Sequence, residues 1–356
     1  MKITTDINLP SYSQLVDDYI HTQIFTADQT SSSIKQGIFD ALMGSRNIRQ
    51  GARPSIEFQG QLLQNISNRI YEDEYIELHT VIGPKKTKLY ASVDLAELSM
   101  LRMLNCIRNN IIQFHPRVRI TIRIEDVTGR IFEGESPEII ESMNRYTSDF
   151  QMLVKILGYD DFIVPVLESS LGSVKDMKKY TESLHPAFDS YISASDKECN
   201  ENDWHRLQSY KVLEHLGWKG IIPSAVRRHY IERYQRIYPN MPYVHYVNLM
   251  TLYFANTLAR IKCNMTAFPV NGIPIKFAPE IPGDLNNGIY YRTVPMNDSK
   301  HHVAPWRAKG FFKVNENNNV KITVRSWNDL PEQYEQGRLT LTEGNNSLTI
   351  KSDLII

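Results

Sequence analysis

Four short constellations in this sequence carry residue types that chemistry uses. The first is Gly83-Pro84-Lys85-Lys86-Thr87, a basic loop directly after the strand-like run Ile76-Glu77-Leu78-His79-Thr80-Val81-Ile82. Ligands of open α/β sheets bind outside the carboxyl ends of strands, and a lysine there offers a point charge to a phosphate or carboxylate. The same residues also fit a solvated basic loop. They do not form a P-loop, because glycines would be needed where Thr80 and Lys85 stand. The second constellation is Asp94-Leu95-Ala96-Glu97, two carboxylates on one face of a helix start, placed to orient an ammonium group or move a proton. Asp94 equally suits an N-cap and Glu97 the position that completes a capping box, and the two roles are compatible. The third is Thr128-Gly129-Arg130-Ile131-Phe132, where an arginine after a glycine turn can grip a phosphate with two parallel bonds, or simply face solvent on a hairpin. The fourth is Ala304-Pro305-Trp306-Arg307, a wall able to stack on a substrate and pair with its charge, with core packing of Trp306 as the alternative.

Other reactive types fall in less useful places. His301 and His302 are adjacent, so in a strand they point to opposite faces and make a poor metal pair. Cys106, Cys199 and Cys263 lack any C-x-x-C spacing, which argues against a zinc ribbon or a disulfide framework and for a reducing compartment. No H-E-x-x-H, G-x-S-x-G or G-x-G-x-x-G occurs, so zincin, α/β-hydrolase and ordinary dinucleotide-binding readings lose their usual support.

The elements that must position these groups are legible in the apolar periodicity. Ile76–Ile82 alternates as a strand. Leu95, Leu98, Leu101, Leu104, Ile107 and Ile111 recur at helical spacing, and the helix should stop near Phe114, since His115 precedes Pro116. Val118, Ile120, Ile122 and Ile124 alternate with Arg117, Arg119, Thr121 and Arg123, which predicts a strand with one buried face. Ser136-Pro137 opens a second helix that runs to Leu157, with Gly158 after it. Phe162–Leu167 reads as a short buried strand, weakened by Pro165. Strand, helix, strand, helix, strand predicts an α/β fold built on a mostly parallel sheet with helical crossovers. Residues 1–50 read as helices and loops, and about 170–265 as a helical segment. Strand patterns return at Ile275-Lys276-Phe277, Ile289-Tyr290-Tyr291, Gly310–Val314 and Val320–Val324, followed by a hairpin at Leu339–Thr342 and Ser347–Ile350. The domain organisation expected is an α/β catalytic body over 1–315, carrying a helical insertion at about 170–265, and a β-rich extension over 316–356.

Composition bounds the functions. The 356 residues hold 40 basic and 40 acidic side chains, so the formal net charge is zero, which argues against a nucleic-acid coat or a polybasic membrane binder. An apolar share of 42% excludes a wholly disordered chain. With no apolar run of spanning length and no signal-like N-terminus, the expectation is a cytoplasmic protein without membrane or nucleic-acid partners.

The order of the motifs is more specific than any one of them. A strand leading to Pro84-Lys85-Lys86-Thr87, then Asp94-Leu95-Ala96-Glu97, Ile120-Thr121-Ile122, Gly129-Arg130-Ile131-Phe132, a second helix and a distant Pro305-Trp306 resembles the pyoverdine/dityrosine biosynthesis family, which includes the isocyanide (isonitrile) synthases. Its members carry Pro-x-Lys-Ser, Asp-Met-x-Glu, Gly-Arg-Val-Phe and a late Thr-Pro-Trp-His. The resemblance covers roughly residues 54–167 well and 243–314 loosely, as a divergent member would. It implies a Rossmann-like body and an enzyme that joins an amino acid's amino group to ribulose 5-phosphate and fragments the adduct to an isonitrile, or to an N-formyl amino acid in the dityrosine branch. It implies no metal or nucleotide cofactor, and a functional pairing with a non-haem iron oxygenase. Lys86 then matches the family lysine and is the phosphate candidate, Asp94 and Glu97 match the acidic pair, and Arg130 matches the family arginine. The family's late Arg-x-Ser-Ile-His-Pro falls on Pro274-Ile275-Lys276-Phe277-Ala278-Pro279, and the histidine after Pro-Trp is Arg307. Lys276, Arg292 and Arg307 become candidates for gripping an anionic substrate beside Trp306. Because those histidines are replaced, the second expectation is a catalytically altered or inactive relative that binds a ligand or a partner. A third is an unrelated sugar-phosphate enzyme on a similar fold.

Overall fold

A computed structural model describes residues 2–8, 33–44, 48, 53–83, 93, 95–127, 136–171, 231–232, 235, 239–240, 242–243, 246, 271–277, 288–291, 308–314, 320–326, 335–341 and 348–355, with only the backbone for 2–8 and from 308 onward. In chain order these form β1 (Lys2–Asn8), α1 (Ile34–Met43), α2 (Ile56–Tyr71), β2 (Ile76–Ile82), α3 (Leu95–Ile112), β3 (Val118–Ile124), α4 (Pro137–Ile156), β4 (Ile163–Leu167) and the single turn α5 (Glu168–Leu171). They continue as β5 (Ile273–Lys276), β6 (Ile289–Tyr290), β7 (Ala308–Val314), β8 (Val320–Ser326), β9 (Glu335–Leu341) and β10 (Leu348–Ile355).

The chain forms two compact units. The first comprises Met1–Leu167, Asn271–Pro279 and Leu285–Ile356; the second comprises Glu168–Val270 and Glu280–Asp284. Most of the stretch read as helical at about 170–265 lies outside the described residues, which include helical positions at Ile231, Glu232, Gln235, Tyr243 and Tyr246. No helix among the described residues is long and apolar enough to cross a membrane.

The fold is α/β. A five-stranded sheet runs in the order β4-β3-β2-β5-β6, and every neighbouring pair in it is parallel. Parallel neighbours need crossovers, and α3 and α4 supply those between β2, β3 and β4. Ile76 pairs with Val118 and the register holds through Ile82 and Ile124. One face of this sheet carries Ile76, Leu78, Ile82, Val118, Ile120, Ile122, Ile124, Ile163, Ile273, Ile275 and Ile289, all buried and all part of one core. From α3 come Leu98, Leu101, Leu104, Ile107 and Ile111, and from α4 come Tyr146, Phe150, Leu153 and Val154.

Local chemistry sets the boundaries. Ser33, Ser55 and Ser136 each cap a helix by accepting a backbone N–H three residues on, and Pro137 occupies the first turn of α4. Gly158, at φ +66, takes the left-handed position just past α4. Pro165 is tolerated because β4 is an edge strand.

A second sheet, in the order β1-β10-β9-β7-β8, is antiparallel throughout. The expected hairpin is β9 paired with β10. The first residues are a strand rather than the helices and loops expected of 1–50: Lys2–Asn8 pairs along its whole length with Thr349–Ile355. Its partner lies at the opposite end of the sequence, so local periodicity could not reveal it. Helical structure in that stretch is α1.

Candidate active site at the strand-order reversal

Side chains alternate across a strand, so the face opposite the isoleucines holds Glu77, His79 and Val81 of β2 and Arg119, Thr121 and Arg123 of β3. Pro274 pairs with His79, which places Pro274 and Lys276 of β5 on that face too. This reverses part of the expectation for β3. Its arginine-bearing face is exposed only at Arg119, while Thr121 and Arg123 are buried. A parallel strand is ordinarily covered on both sides, and here the cover extends over polar residues.

The position of these groups in the sheet is informative. From β2 the chain builds outward through β3 and β4 on one side, then returns to place β5 and β6 on the other. The reversal of strand order therefore lies between β2 and β5, the place where open α/β sheets leave a crevice at their carboxyl edge. Arg123 is the penultimate residue of β3 and Lys276 the last of β5. Continuing the pairing of His79 with Pro274 by two residues brings Lys276 level with Val81, whose partner on the other side is Arg123. Two long cationic side chains thus rise on either side of Val81, with His79 one step toward the amino end of β2.

Glycines shape the surroundings. A Cβ at Gly272 would lie 3.2 Å from both the Glu77 carbonyl and the His79 Cβ. A Cβ at Gly288, which has φ +152, would lie 2.9 Å from the Pro274 carbonyl and 3.1 Å and 3.2 Å from Cγ and Cε of Lys276. Gly288 is thus the residue that lets the Lys276 stem lie across the backbone of the neighbouring segment.

Electrostatics follow from burial and from like charges. Withdrawal from water, and then the Arg123 guanidinium, pull the Lys276 pKa down to about 8, against a weaker opposing pull from Glu125. Burial, followed by the charges of Arg123 and Lys276, lowers His79 to about 3, so its imidazole is neutral at physiological pH. His79 Nε2 is buried and has no hydrogen-bond partner among the described residues. Glu77 is settled: its Oε1 accepts from Thr121 Oγ1 at 2.9 Å. Neighbouring desolvated groups whose charged forms are all disfavoured are a feature of functional clefts.

Of the site residues expected from sequence, Lys276 belongs to this cluster. Glu97 lies in the first turn of α3, fully buried, where its Oε1 accepts a 2.9 Å hydrogen bond from the Tyr146 hydroxyl of α4. Lys86, Asp94, Arg130, Arg292, Trp306 and Arg307 lie outside the described residues. His79 and Arg123 were not singled out by sequence. The available signal was Arg123 near the carboxyl end of a strand expected to bury one face, that of its isoleucines. Among the described residues no group of three His, Cys, Asp or Glu side chains could hold a metal ion.

No family model matches the chain, and no curated protein matches it. Among solved structures it is similar to PvcA from Pseudomonas aeruginosa at 15% identity and a TM-score of 0.50, over 89% of this chain and 99% of that one. The relationship is one of fold. A tryptophanyl-tRNA synthetase from Plasmodium falciparum aligns at 14% identity over 87% of this chain and 69% of that one, but its TM-score of 0.32 is too low to bear on function.

Proposed function

We propose that the chain is an isonitrile-synthase-like enzyme of small-molecule biosynthesis, which condenses the amino group of an amino acid with a ketose phosphate such as ribulose 5-phosphate. The observation that carries this reading is the placement of Lys276 with Arg123 at the carboxyl edge of the parallel sheet, beside the strand-order reversal. The ordered motifs support it, and the similarity in fold to PvcA agrees with the α/β body it requires.

In this reading the cationic groups Lys276, Lys86, Arg130, Arg292 and Arg307 bind the anionic ends of the substrates, and Trp306 forms part of the wall. Asp94 and Glu97 serve amine binding or proton transfer, with Glu97 held in place by Tyr146. His79, neutral at pH 7, supplies an imidazole to a chain whose late family histidines are replaced. Neither metal nor nucleotide takes part, the setting is the cytoplasm, and a non-haem iron oxygenase acts alongside.

Incubation of the protein with each amino acid and ribulose 5-phosphate, followed by mass spectrometry, tests the proposal. An isonitrile or N-formyl product that disappears in Lys86→Ala, with the fold retained, is the expected result. The replacement of the family histidines at Pro274–Pro279 and Arg307 favours one other reading, a relative that binds ligand without turnover. Thermal stabilisation by substrates with no product from any pair would establish that reading instead.

A further inference from the structure

We propose that Arg123, Lys276 and His79 together form a binding site for a phosphate monoester, seated over Val81 on the polar face of the parallel sheet. The proposal rests on and deepens the enzymatic reading, since it seats the phosphate end of the substrate on these residues.

Three neighbouring strands each contribute one donor. Arg123 comes from β3, His79 from β2 and Lys276 from β5. The backbones of β3 and β5 stand about 10 Å apart across β2, a gap that arginine and lysine side chains can close from both sides. A tetrahedral phosphate presents three terminal oxygens to such an arrangement. A planar carboxylate has two and leaves one donor unanswered. His79 donates in its Nε2–H tautomer, and that nitrogen is the buried one with no partner among the described residues.

The charge balance points the same way. Two cations brought together away from water repel each other, and the repulsion of Arg123 on Lys276 exceeds the attraction of Glu125. Glu77, the other carboxylate on this face among the described residues, accepts from Thr121. An arriving dianion relieves the repulsion and raises the Lys276 pKa back toward that of an ordinary lysine. The missing side chain of Gly288 leaves room for the Lys276 stem, whose Cγ and Cε would otherwise meet a Cβ at 3.1 Å and 3.2 Å.

Isothermal titration of the full chain at pH 7 with inorganic phosphate, glycerol 3-phosphate and acetate tests the assignment. Both phosphates should bind, and acetate at least about tenfold more weakly. Lys276→Met should weaken phosphate binding at least about tenfold, and Lys276→Arg should keep most of it. His79→Gln, which retains an N–H donor, should bind better than His79→Leu. A melting temperature at or above that of the parent shows that Lys276→Met is folded. Equal binding of phosphate and acetate overturns the choice of ligand, and unchanged phosphate affinity in folded Lys276→Met overturns the site. Because binding is read without turnover, phosphate binding with no product refutes only the enzymatic reading. Product formation with no phosphate affinity at Lys276 refutes only this one.

Discussion

Replacing Lys276 by methionine should make the protein more stable, and the size of the gain can be worked from the structure. In the fold the Lys276 pKa lies at about 8, against 10.5 for an ordinary lysine. Each pH unit of such a difference is worth about 1.4 kcal/mol, so holding the charged ammonium in this position costs about 3 kcal/mol at pH 7. The sign follows from proton counting. Between pH 8 and 10.5 the unfolded chain binds more protons at this residue than the folded chain, so stability falls as pH drops through that window and is level below it. Methionine has a similar length, no charge and no such penalty. Lys276→Met should therefore exceed the parent by about 3 kcal/mol at pH 7, a figure that already contains the attraction to Glu125, and the two should converge as pH approaches 10. Urea unfolding followed by far-ultraviolet circular dichroism at pH 7, 8, 9 and 10 measures this. A variant less stable than the parent at pH 7, or a gain that does not shrink with rising pH, would refute the reasoning. Either outcome would mean that Lys276 is held by a favourable ion pair. Phosphate should narrow the difference at pH 7, because it stabilises only the chain that binds it.

Other consequences can be measured separately. As pH falls from 6.5 toward 3 the unfolded chain protonates at His79 while the folded chain does not, so about 2 kcal/mol should be lost by pH 5; His79→Gln should flatten that part of an acid-denaturation curve. Tyr146→Phe removes the hydroxyl that donates to the buried Glu97 carboxylate and should lower unfolding stability by about 1–3 kcal/mol. Gly288→Ala places a Cβ against the Pro274 carbonyl and the Lys276 stem at φ +152, so it should destabilise by about 1–3 kcal/mol and weaken phosphate binding in the same titration. Gly37→Ala would drive a methyl into the Phe114 ring, and thermal melting should register a loss of about 1–3 kcal/mol with no change in ligand binding.

The features legible in the sequence are those governed by local periodicity. The leucine and isoleucine spacing of α3 and the Ser136-Pro137 opening of α4 are decided within one helix, as is the glycine just past α4, and the structure has them where the pattern puts them. The strand at Lys2–Asn8 was hidden because its pairing partner is more than three hundred residues away. The faces of β3 were half legible. Alternation separates isoleucines from arginines correctly, but it cannot say whether the second face is wet. That depends on what covers it, a tertiary fact. For the same reason Lys276 could be named as an anion ligand from the resemblance, whereas His79 and Arg123 emerged only when register put them beside it.

The polar face of the parallel sheet is uneven along its length, and the unevenness separates structural polarity from the functional kind. Toward the amino ends of the strands, charged and polar groups among the described residues meet partners of complementary character. Arg117 pairs with Asp73 at 2.8 Å, Arg119 lies over the Tyr75 ring at 4.5 Å, a ring nitrogen of His115 meets the Glu74 carbonyl at 2.9 Å, and Glu77 accepts from Thr121. These contacts sit at a wet or half-wet rim and hold the strand ends in register. Two residues further along, like charges meet: Arg123 lowers the pKa of Lys276, and burial followed by both charges lowers that of His79. Apolar side chains of similar volume would be neutral or stabilising at the buried and half-buried positions of this face. The carboxyl end therefore carries a strain that folding alone does not require and that the amino end avoids. A bound anion removes that strain, since it converts the repulsion between Arg123 and Lys276 into two attractions to a common partner. By this argument, the stability forgone at Lys276 in the free protein reappears as affinity when the anion binds.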